Sequence, residues 1–377
     1  MYDVAIIGGG VMGSTTGLHL ARNDMKVTVI DRRGLCMEAS GVNAGTLSIQ
    51  IKRIALIPYA LRGRELWAST RDWLGSEVGY KIIGGLTLAF TDAEAEMLQE
   101  RMSARRDAGA QIEFVDAKQA REIEPGISDH VVMATSCPID GYANSYMIGR
   151  AYRAALLEAG VDLREWKPMQ TITRENGGFT VGLPDETIQA KRLVLAGGVW
   201  LNDALGHFDV ELPINCRVNQ VAVTERTRPI LGSILGVATG LLTLKQSTNG
   251  SVLIGGGWQG IRGPKSGATA IIPENLIGNL RLAHYAFPEV AKTRVVRTWL
   301  GLEANVPDFM PLVGPLPGVD DAFVIGCVRG GFTIGPYMGE LLAQRILGNE
   351  PEMPLFDLDR MFSTEERAAA TGTNGGV

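Results

Sequence analysis

The first thirty residues alternate between short apolar runs and one segment with helical spacing. Residues 3–7 and 26–30 are short, mostly apolar runs, and residues 11–23 between them carry apolar side chains three or four positions apart. Short apolar runs are typical of buried strands, whereas the wider spacing is typical of a helix. The pattern predicts a β-α-β unit whose second strand ends at Asp31.

The same two patterns alternate along the rest of the chain. Helices are predicted over residues 61–73, 92–108, 144–160, 273–287 and 333–347. Strands are predicted over residues 82–90, 192–196 and 322–325, with short strands and turns over 161–184 and 211–257. This order predicts an α/β amino-terminal unit within a chain that is α+β overall.

Composition narrows the class of protein. The chain has 377 residues, 45% of them hydrophobic, which suffices for two packed domains or one interleaved unit. The net charge of -5 comes from charges spread along the chain, which argues against nucleic-acid binding. The four cysteines lie far apart without metal-ligand spacing, so no metal site is expected.

The chain shows no pattern of an export or membrane segment. Only Met1 and Tyr2 precede the first apolar run, and no apolar stretch has membrane-spanning length. The expected location is the cytoplasm, with peripheral association with the inner membrane left open.

A glycine turn joins the first strand to the first helix. Residues 8–13 fit G-x-G-x-x-G, in which the glycines allow a tight turn, close approach of a pyrophosphate and close helix packing. The following helix offers free N–H groups to phosphates, and Asp31 is placed to accept hydrogen bonds from a ribose. Asp31 would repel a 2′-phosphate, which disfavours NADP. The candidate contacts are Gly8, Gly10, Val11, Met12, Gly13, Asp31 and Arg32.

Three further segments carry a resemblance to a known family. They are residues 40–45 (SGVNAG), 194–200 (VLAGGVW) and 326–336 (GCVRGGFTIGP). With them the chain resembles the D-amino-acid oxidase-type flavoproteins, which include glycine oxidase, sarcosine oxidase and the β subunits of bacterial amino-acid, hydroxyproline and opine dehydrogenases. The resemblance implies that the cofactor is FAD. The β-α-β unit alone does not distinguish FAD from NAD.

The resemblance also implies a domain organisation. A Rossmann-type FAD domain, over residues 1–82, 139–213 and 318–362, would be interleaved with a mixed-sheet substrate domain over 83–138 and 214–317. Residues 363–377 are expected to be a disordered tail.

The three segments supply further cofactor contacts in the family. The first lies along the flavin and its pyrophosphate, and the third enters a helix whose N-terminus faces the pyrimidine end of the flavin. A helix dipole there stabilises the charge of the reduced flavin. The implied contacts in these segments are Ser40, Asn43, Ala44, Gly45, Gly197, Gly198, Trp200, Gly330, Gly331, Phe332 and Thr333, and Met169 is a further candidate outside them.

Three residues are candidates for the substrate side. Arg329 offers a planar fork for a carboxylate and matches a place where glycine-oxidase-like members carry an arginine. Many relatives read Gly-Leu-Arg-Pro where this chain has Glu303 in place of the arginine. One hypothesis is that Glu303 faces a cationic group, such as the substrate amine or a guanidinium. Gln50, with Lys52 and Arg53, follows the 40–45 loop and could line the substrate pocket.

The resemblance implies FAD-dependent oxidation of a small amine, an amino acid, secondary amine or opine, by hydride transfer to the flavin. The expected context is the β subunit of a heteromeric dehydrogenase, with small Cys-rich iron–sulfur and larger FAD- or NAD-type partner subunits. The alternatives are a stand-alone oxidase that uses O₂, a catalytically silent FAD-binding subunit and an NAD-dependent dehydrogenase. Flavin absorbance of the purified protein would exclude the NAD-dependent dehydrogenase. Bleaching of the flavin by amines would exclude the catalytically silent subunit.

Overall fold

The computed structural model describes residues 1–175, 177–263 and 267–362. The expected tail over 363–377 lies outside the described residues. Two large sheets dominate the rest, and they confirm the mixed α/β class.

The first sheet contains the predicted β-α-β unit. Its strands run in the order β10 (Thr171–Glu175), β11 (Gly178–Gly182), β12 (Thr187–Leu195), β1 (Tyr2–Ile7), β2 (Val27–Ile30) and β9 (Asp162–Arg164). In addition, β21 (Ala322–Gly326) pairs with β12, and β20 (Leu312–Pro315) pairs with β21. The central strand β1 is parallel to both of its neighbours. Parallel strands are covered on both faces, which explains their continuous apolar runs.

The second sheet is mostly antiparallel. Its strands run in the order β19 (Val295–Asn305), β13 (Asn215–Arg226), β16 (Ser251–Gly255), β15 (Thr243–Gln246), β14 (Ile234–Val237), β5 (Gly85–Ala89), β7 (Met133–Cys137) and β6 (Glu113–Asp116). A small third sheet orders β3 (Thr46–Leu47), β8 (Gly141–Tyr142) and β4 (Lys81–Ile82), and β17 (Ile261–Arg262) pairs with β18 (Thr269–Ala270).

The helices cover and connect these sheets. They are α1 (Val11–Ala21), α2 (Ala39–Val42), α3 (Ile57–Ala68), α4 (Thr70–Leu74), α5 (Asp92–Glu100), α6 (Met102–Asp107), α7 (Ala117–Ile123), α8 (Ser145–Glu158), α9 (Leu201–Leu205), α10 (Pro273–Ala286) and α11 (Gly331–Ile346). Short 3₁₀ helices span Ile54–Leu56, Gly198–Trp200, Gly206–Phe208, Pro288–Lys292 and Leu358–Met361.

The first and last of these helices, α1 and α11, pack closely against each other. A Cβ on Gly339 would lie 2.6 Å from Cβ of Thr15, so glycine permits the contact. The Thr16 hydroxyl donates to the carbonyl oxygen of Gly339 at 3.2 Å. Residues from the two ends of the chain therefore build one core beside β1.

Three predicted elements are divided in the structure. The helix over 61–73 is broken at Ser69, and the helix over 92–108 is broken at Arg101. The strand over 82–90 is two strands, because Gly84 between them takes a left-handed conformation with φ +71°. The strand over 192–196 begins earlier, at Thr187, where it pairs with β11.

The strands do not follow the expected domain limits at every point. The strand β20 lies inside the segment 214–317 that the sequence assigns to the substrate domain, yet it pairs in the first sheet. A contact in the other direction crosses the expected limit, because Trp299 Nε1 on β19 donates to the carbonyl oxygen of Val42 on α2 at 2.7 Å.

Candidate active site

One cavity of about 920 Å³ is lined by residues from both large sheets. Its walls include every candidate cofactor and substrate residue named above, with one exception. The exception is Thr333, which is fully buried and whose hydroxyl lies 3.5 Å from the carbonyl oxygen of Thr46. The sequence motifs from both ends of the chain therefore converge on one space.

The glycine turn is closely packed at the wall of this cavity. Gly8 has φ +114°, and a Cβ there would lie 2.3 Å from the carbonyl oxygen of Ala196. A Cβ on Gly13 would lie 2.1 Å from the carbonyl oxygen of Gly8. Side chains at either position would push the turn away from the helix and from β12.

Asp31 braces the turn from the end of β2. One carboxylate oxygen accepts from the backbone N–H of Gly9 at 2.6 Å, and the other accepts from that of Arg33 at 2.7 Å. Burial raises the pKa of the Asp31 carboxyl, and these two hydrogen bonds oppose the rise. The guanidinium of Arg32 lies 4.5 Å from the ring centre of Trp200, on the other side of the opening.

Two helices begin at the cavity after a glycine, and in the first of them the N–H of Val11 donates to the Ser40 hydroxyl at 3.0 Å. Gly10 precedes α1 and Gly330 precedes α11, and neither offers a side chain to the first N–H groups of its helix. An added Cβ on Gly198 or Gly326 would meet no atom within 4 Å, so the wall stays open at these positions. Free N–H groups at helix starts attract phosphates and other anionic groups. These residues fit FAD, and the two helix starts would be offered to its anionic groups.

The loop between the two helix starts is held by hydrogen bonds on both sides. The Asn43 side-chain oxygen accepts from the N–H of Gly45 at 2.6 Å. From the second sheet, Lys245 Nζ donates to the carbonyl oxygen of Ala44 and, at 2.9 Å, to the Thr46 hydroxyl. Lys245 is 1% exposed, and burial lowers its pKa to about 7.

Glu303, on β19, lines the cavity and binds the start of α11. One carboxylate oxygen accepts from the backbone N–H of Gly330 at 2.7 Å, and the other accepts from Asn219 Nδ2 at 3.1 Å. Lys52 Nζ donates to the carbonyl oxygen of Gly330 at 2.9 Å. Burial lowers the pKa of Lys52 to about 8, although Glu303 and Asp140 oppose the shift. Both backbone groups of Gly330 are therefore fixed by charged side chains.

Three guanidinium groups, those of Arg53, Arg217 and Arg329, surround Glu303. Burial lowers the pKa of Arg53 and of Arg217, and the charge of Arg329 lowers both further. Among the described residues, no carboxylate lies within 4 Å of a nitrogen of any of the three. The site therefore has a surplus of positive charge, which suits a carboxylate ligand.

Gln50 occupies the floor of the site with both ends of its amide engaged. Its Nε2 donates to Asp140 at 3.0 Å, and its side-chain oxygen accepts from the Thr135 hydroxyl at 2.8 Å. Asp140 is fully buried and also accepts from the Ser48 hydroxyl and from the N–H of Ile49 at 2.7 Å. Burial raises the pKa of Asp140 against these hydrogen bonds.

Sequence reasoning missed Arg217, Asn219, Thr135 and the role of Asp140. Arg217 and Asn219 share one face of β13, but nothing local in the sequence shows that Arg217 pairs with Glu303 across the strands. In the part of the chain that the structure describes, no His, Cys, Asp and Glu residues gather as a metal site would require. Within the same part, no helix is long and apolar enough to cross a membrane.

Replacing Lys245 by Met should change the pH dependence of stability. In the folded protein the pKa of Lys245 is about 7, below its ordinary value of 10.5. Between these two pH values the unfolded chain binds more protons than the folded protein. The free energy of unfolding of the wild type therefore increases as pH rises. Lys245→Met lacks this gain. Its unfolding free energy relative to wild type should therefore fall by about 1.4 kcal/mol per pH unit over this window.

Urea unfolding of the flavin-loaded proteins from pH 7 to 10 measures this difference. Lys118→Met, at an exposed lysine on α7, is the control and should show no such slope. A difference between Lys245→Met and wild type that stays constant with pH would mean that Lys245 is charged throughout the range.

The family model DAO, described as FAD dependent oxidoreductase, matches residues 3–345. The opine oxidase subunit of Agrobacterium tumefaciens (strain Ach5) is 27% identical, with 96% of this chain and 98% of the relative covered. Glycine oxidase of Geobacillus kaustophilus (strain HTA426) is 25% identical, with 95% of each chain covered.

Solved structures share the fold. The crystal structure of glycine oxidase from Geobacillus kaustophilus superposes with a TM-score of 0.88 at 24% identity, covering 96% of this chain and 99% of that one. L-proline dehydrogenase from P. horikoshii superposes with a TM-score of 0.86 at 23% identity, covering 94% and 95%.

Proposed function

The chain belongs to the DAO family of FAD-dependent oxidoreductases, and from this premise we propose that it oxidises a carboxylate-bearing amine as the catalytic β subunit of a heteromeric dehydrogenase. FAD is its cofactor, and it acts on CH–NH or CH–NH₂ donors. The expectations of family, cofactor and reaction class are thereby confirmed. The carboxylate of the substrate, the position of its amine and the partner subunits belong to the proposal.

The observation that carries the proposal is the surplus of guanidinium groups beside Glu303. The carboxylate of Glu303 is already engaged by Gly330 and Asn219, so it does not form a direct ion pair with Arg53 or Arg329. A guanidinium offers paired N–H donors that match a carboxylate. Arg329 and Arg53 both line the cavity, and we assign to them the substrate carboxylate.

The chain's residues would hold and orient the substrate, while FAD supplies the two-electron acceptor. Lys52 and Glu303 fix Gly330 at the start of α11, which would lie beside the cofactor. Lys245 fixes the loop at Ala44 from the other side. Such fixed surroundings favour one orientation of the reacting C–H bond and limit access of water.

The heteromeric role is supported by the relatives. The opine oxidase relatives from Agrobacterium tumefaciens and Rhizobium meliloti are each one subunit of their enzyme, and this chain covers 98% and 94% of those subunits. We infer that partner subunits, one of them small and Cys-rich with an iron–sulfur centre, carry electrons onward from the flavin.

The test is to purify the tagged chain with its native partners and to add amines and amino acids without oxygen. Bleaching of the flavin absorbance by carboxylate-bearing amines, with slow reoxidation by O₂, is expected. Fast O₂ consumption by the chain alone would indicate a stand-alone oxidase. Failure of every amine to bleach the flavin would indicate a silent FAD-binding subunit.

A further inference from the structure

A second pair of arginines lines the same cavity on the helices α5 and α6. Arg101 lies at the junction of the two helices, and Arg105 follows one turn later on α6. The apolar side chains of Leu98 and Met102 line the cavity beside them. Because residues four apart lie on one face of a helix, both guanidinium groups project from the same side.

The helix α6 is anchored beside the floor of the site. Arg106 Nε donates to the carbonyl oxygen of Ile112 at 2.7 Å, just before β6. On β6, Phe114 pairs with Thr135 of β7, and Thr135 donates to Gln50. Continuous contacts therefore connect α6 to the floor of the substrate site.

The charges of this pair are not neutralised by the protein. Among the described residues, neither Arg101 nor Arg105 has a carboxylate within 4 Å. Arg105 Nε is buried and has no hydrogen-bond partner. Burial lowers the pKa of Arg105, and the charge of Arg101 lowers it further. The pair lies on other elements than Arg53, which precedes the 3₁₀ helix Ile54–Leu56, and Arg329, which precedes α11.

Arg105 is half-buried, and a buried N–H without a partner costs free energy unless a ligand satisfies it. The neighbouring Arg106 differs, because its Nε donates to a backbone carbonyl of the protein. An anionic group within the cavity would satisfy Arg105 in the same way.

We propose that Arg101 and Arg105 form a second carboxylate subsite, and that the substrate is a secondary amine with a carboxylate on each side of the nitrogen. The proposal rests on the function proposed above and names its substrate class. Arg53 and Arg329 bind the carboxylate next to the reacting carbon, and Arg101 and Arg105 bind the distal one. The cavity wall offers Leu56 and Ile112 to the carbon chain between them.

Non-oxidisable dicarboxylates test the two subsites without turnover. The flavin-loaded protein is titrated by calorimetry with succinate, glutarate, adipate and pimelate, and with the monocarboxylate of each length. One dicarboxylate should bind at least about 10-fold more tightly than its monocarboxylate, since a charge-assisted pair is added. Equal affinities at every length would overturn the proposal.

Substitutions test whether Arg101 and Arg105 cause the preference for dicarboxylates over monocarboxylates. Arg101→Gln with Arg105→Gln should remove the dicarboxylate preference, and the double lysine variant should keep part of it. Arg71→Gln, at an exposed arginine on α4, is the matched control and should keep all of it. If the double variant does not fold, Arg101→Gln alone replaces it in the titration, because Arg101 is exposed. A full preference in the glutamine variants would place the second carboxylate elsewhere and overturn the proposal.

A second measurement separates this inference from the proposed function. Flavin reduction without oxygen is followed with N-(carboxyalkyl)glycines and with the N-alkylglycines of equal length. If both series bleach the flavin with equal KM, the amine oxidation holds and the distal subsite is refuted. If neither bleaches it while dicarboxylates still bind through Arg101 and Arg105, the subsite holds and the proposed reaction fails.

Discussion

Replacing Gly13 by Ala should abolish stable FAD binding. The new Cβ would lie 2.1 Å from the carbonyl oxygen of Gly8 and 3.1 Å from Cβ of Ala196. Backbone cannot yield as a flexible side chain does, so α1 must move away from the turn and from β12. We expect a loss of unfolding free energy of about 3 kcal/mol and a fall in FAD affinity of at least about 10-fold.

The measurements are urea unfolding of the apoprotein and fluorescence titration with FAD. Gly206→Ala is the matched control, because a Cβ there meets no atom within 4 Å and the backbone is already right-handed. That variant should be as stable as wild type or slightly more stable. Full flavin occupancy in Gly13→Ala would show that the turn has another way to accommodate a side chain.

Replacing Glu303 by Gln should reduce turnover far more than ligand binding. Two donors, the N–H of Gly330 and the Asn219 amide, face its two oxygens, and glutamine offers only one acceptor. The start of α11 would lose its fixed position beside the flavin. A displacement of about 1 Å can lower a rate about 100-fold, and we expect a fall in kcat of that order.

Carboxylate binding separates this positioning role from direct contact with the substrate amine. The variant has one negative charge fewer beside Arg53, Arg217 and Arg329, so acetate should bind as tightly as to wild type or more tightly. A raised KM with unchanged kcat would instead mean that Glu303 binds the amine. Glu77→Gln, at an exposed ion pair with Arg71, is the control and should leave both constants unchanged.

Local patterns were sufficient to predict the dinucleotide-binding end of the site. The strand β1, the helix α1 and the strand β2 are defined by nearby residues, and the observed helix differs from the expected one only at its end. The same holds for α11, whose leading glycines are visible in the sequence. These elements would bind the cofactor through backbone N–H groups, and the glycines that permit this are recognisable by their spacing.

The substrate end could not be predicted in the same way, because its charges meet through long-range strand pairing. Lys245 contacts Ala44 from a separation of 201 residues. Glu303 and Arg217 face each other only because β13 and β19 pair in one particular register. A shift of either strand by one residue would turn its own side chain to the opposite face, away from its present partner.

The packing of α1 against α11 has a consequence for biosynthesis. The ribosome synthesises Thr16 323 residues before Gly339 of the helix Gly331–Ile346. Until that helix has emerged, Thr16 has no Gly339 to bind, and the cavity lacks its lining residues Gly331 and Phe332. We therefore expect stable FAD binding only after α11 has been synthesised, and nascent chains that stall before residue 331 should not retain FAD.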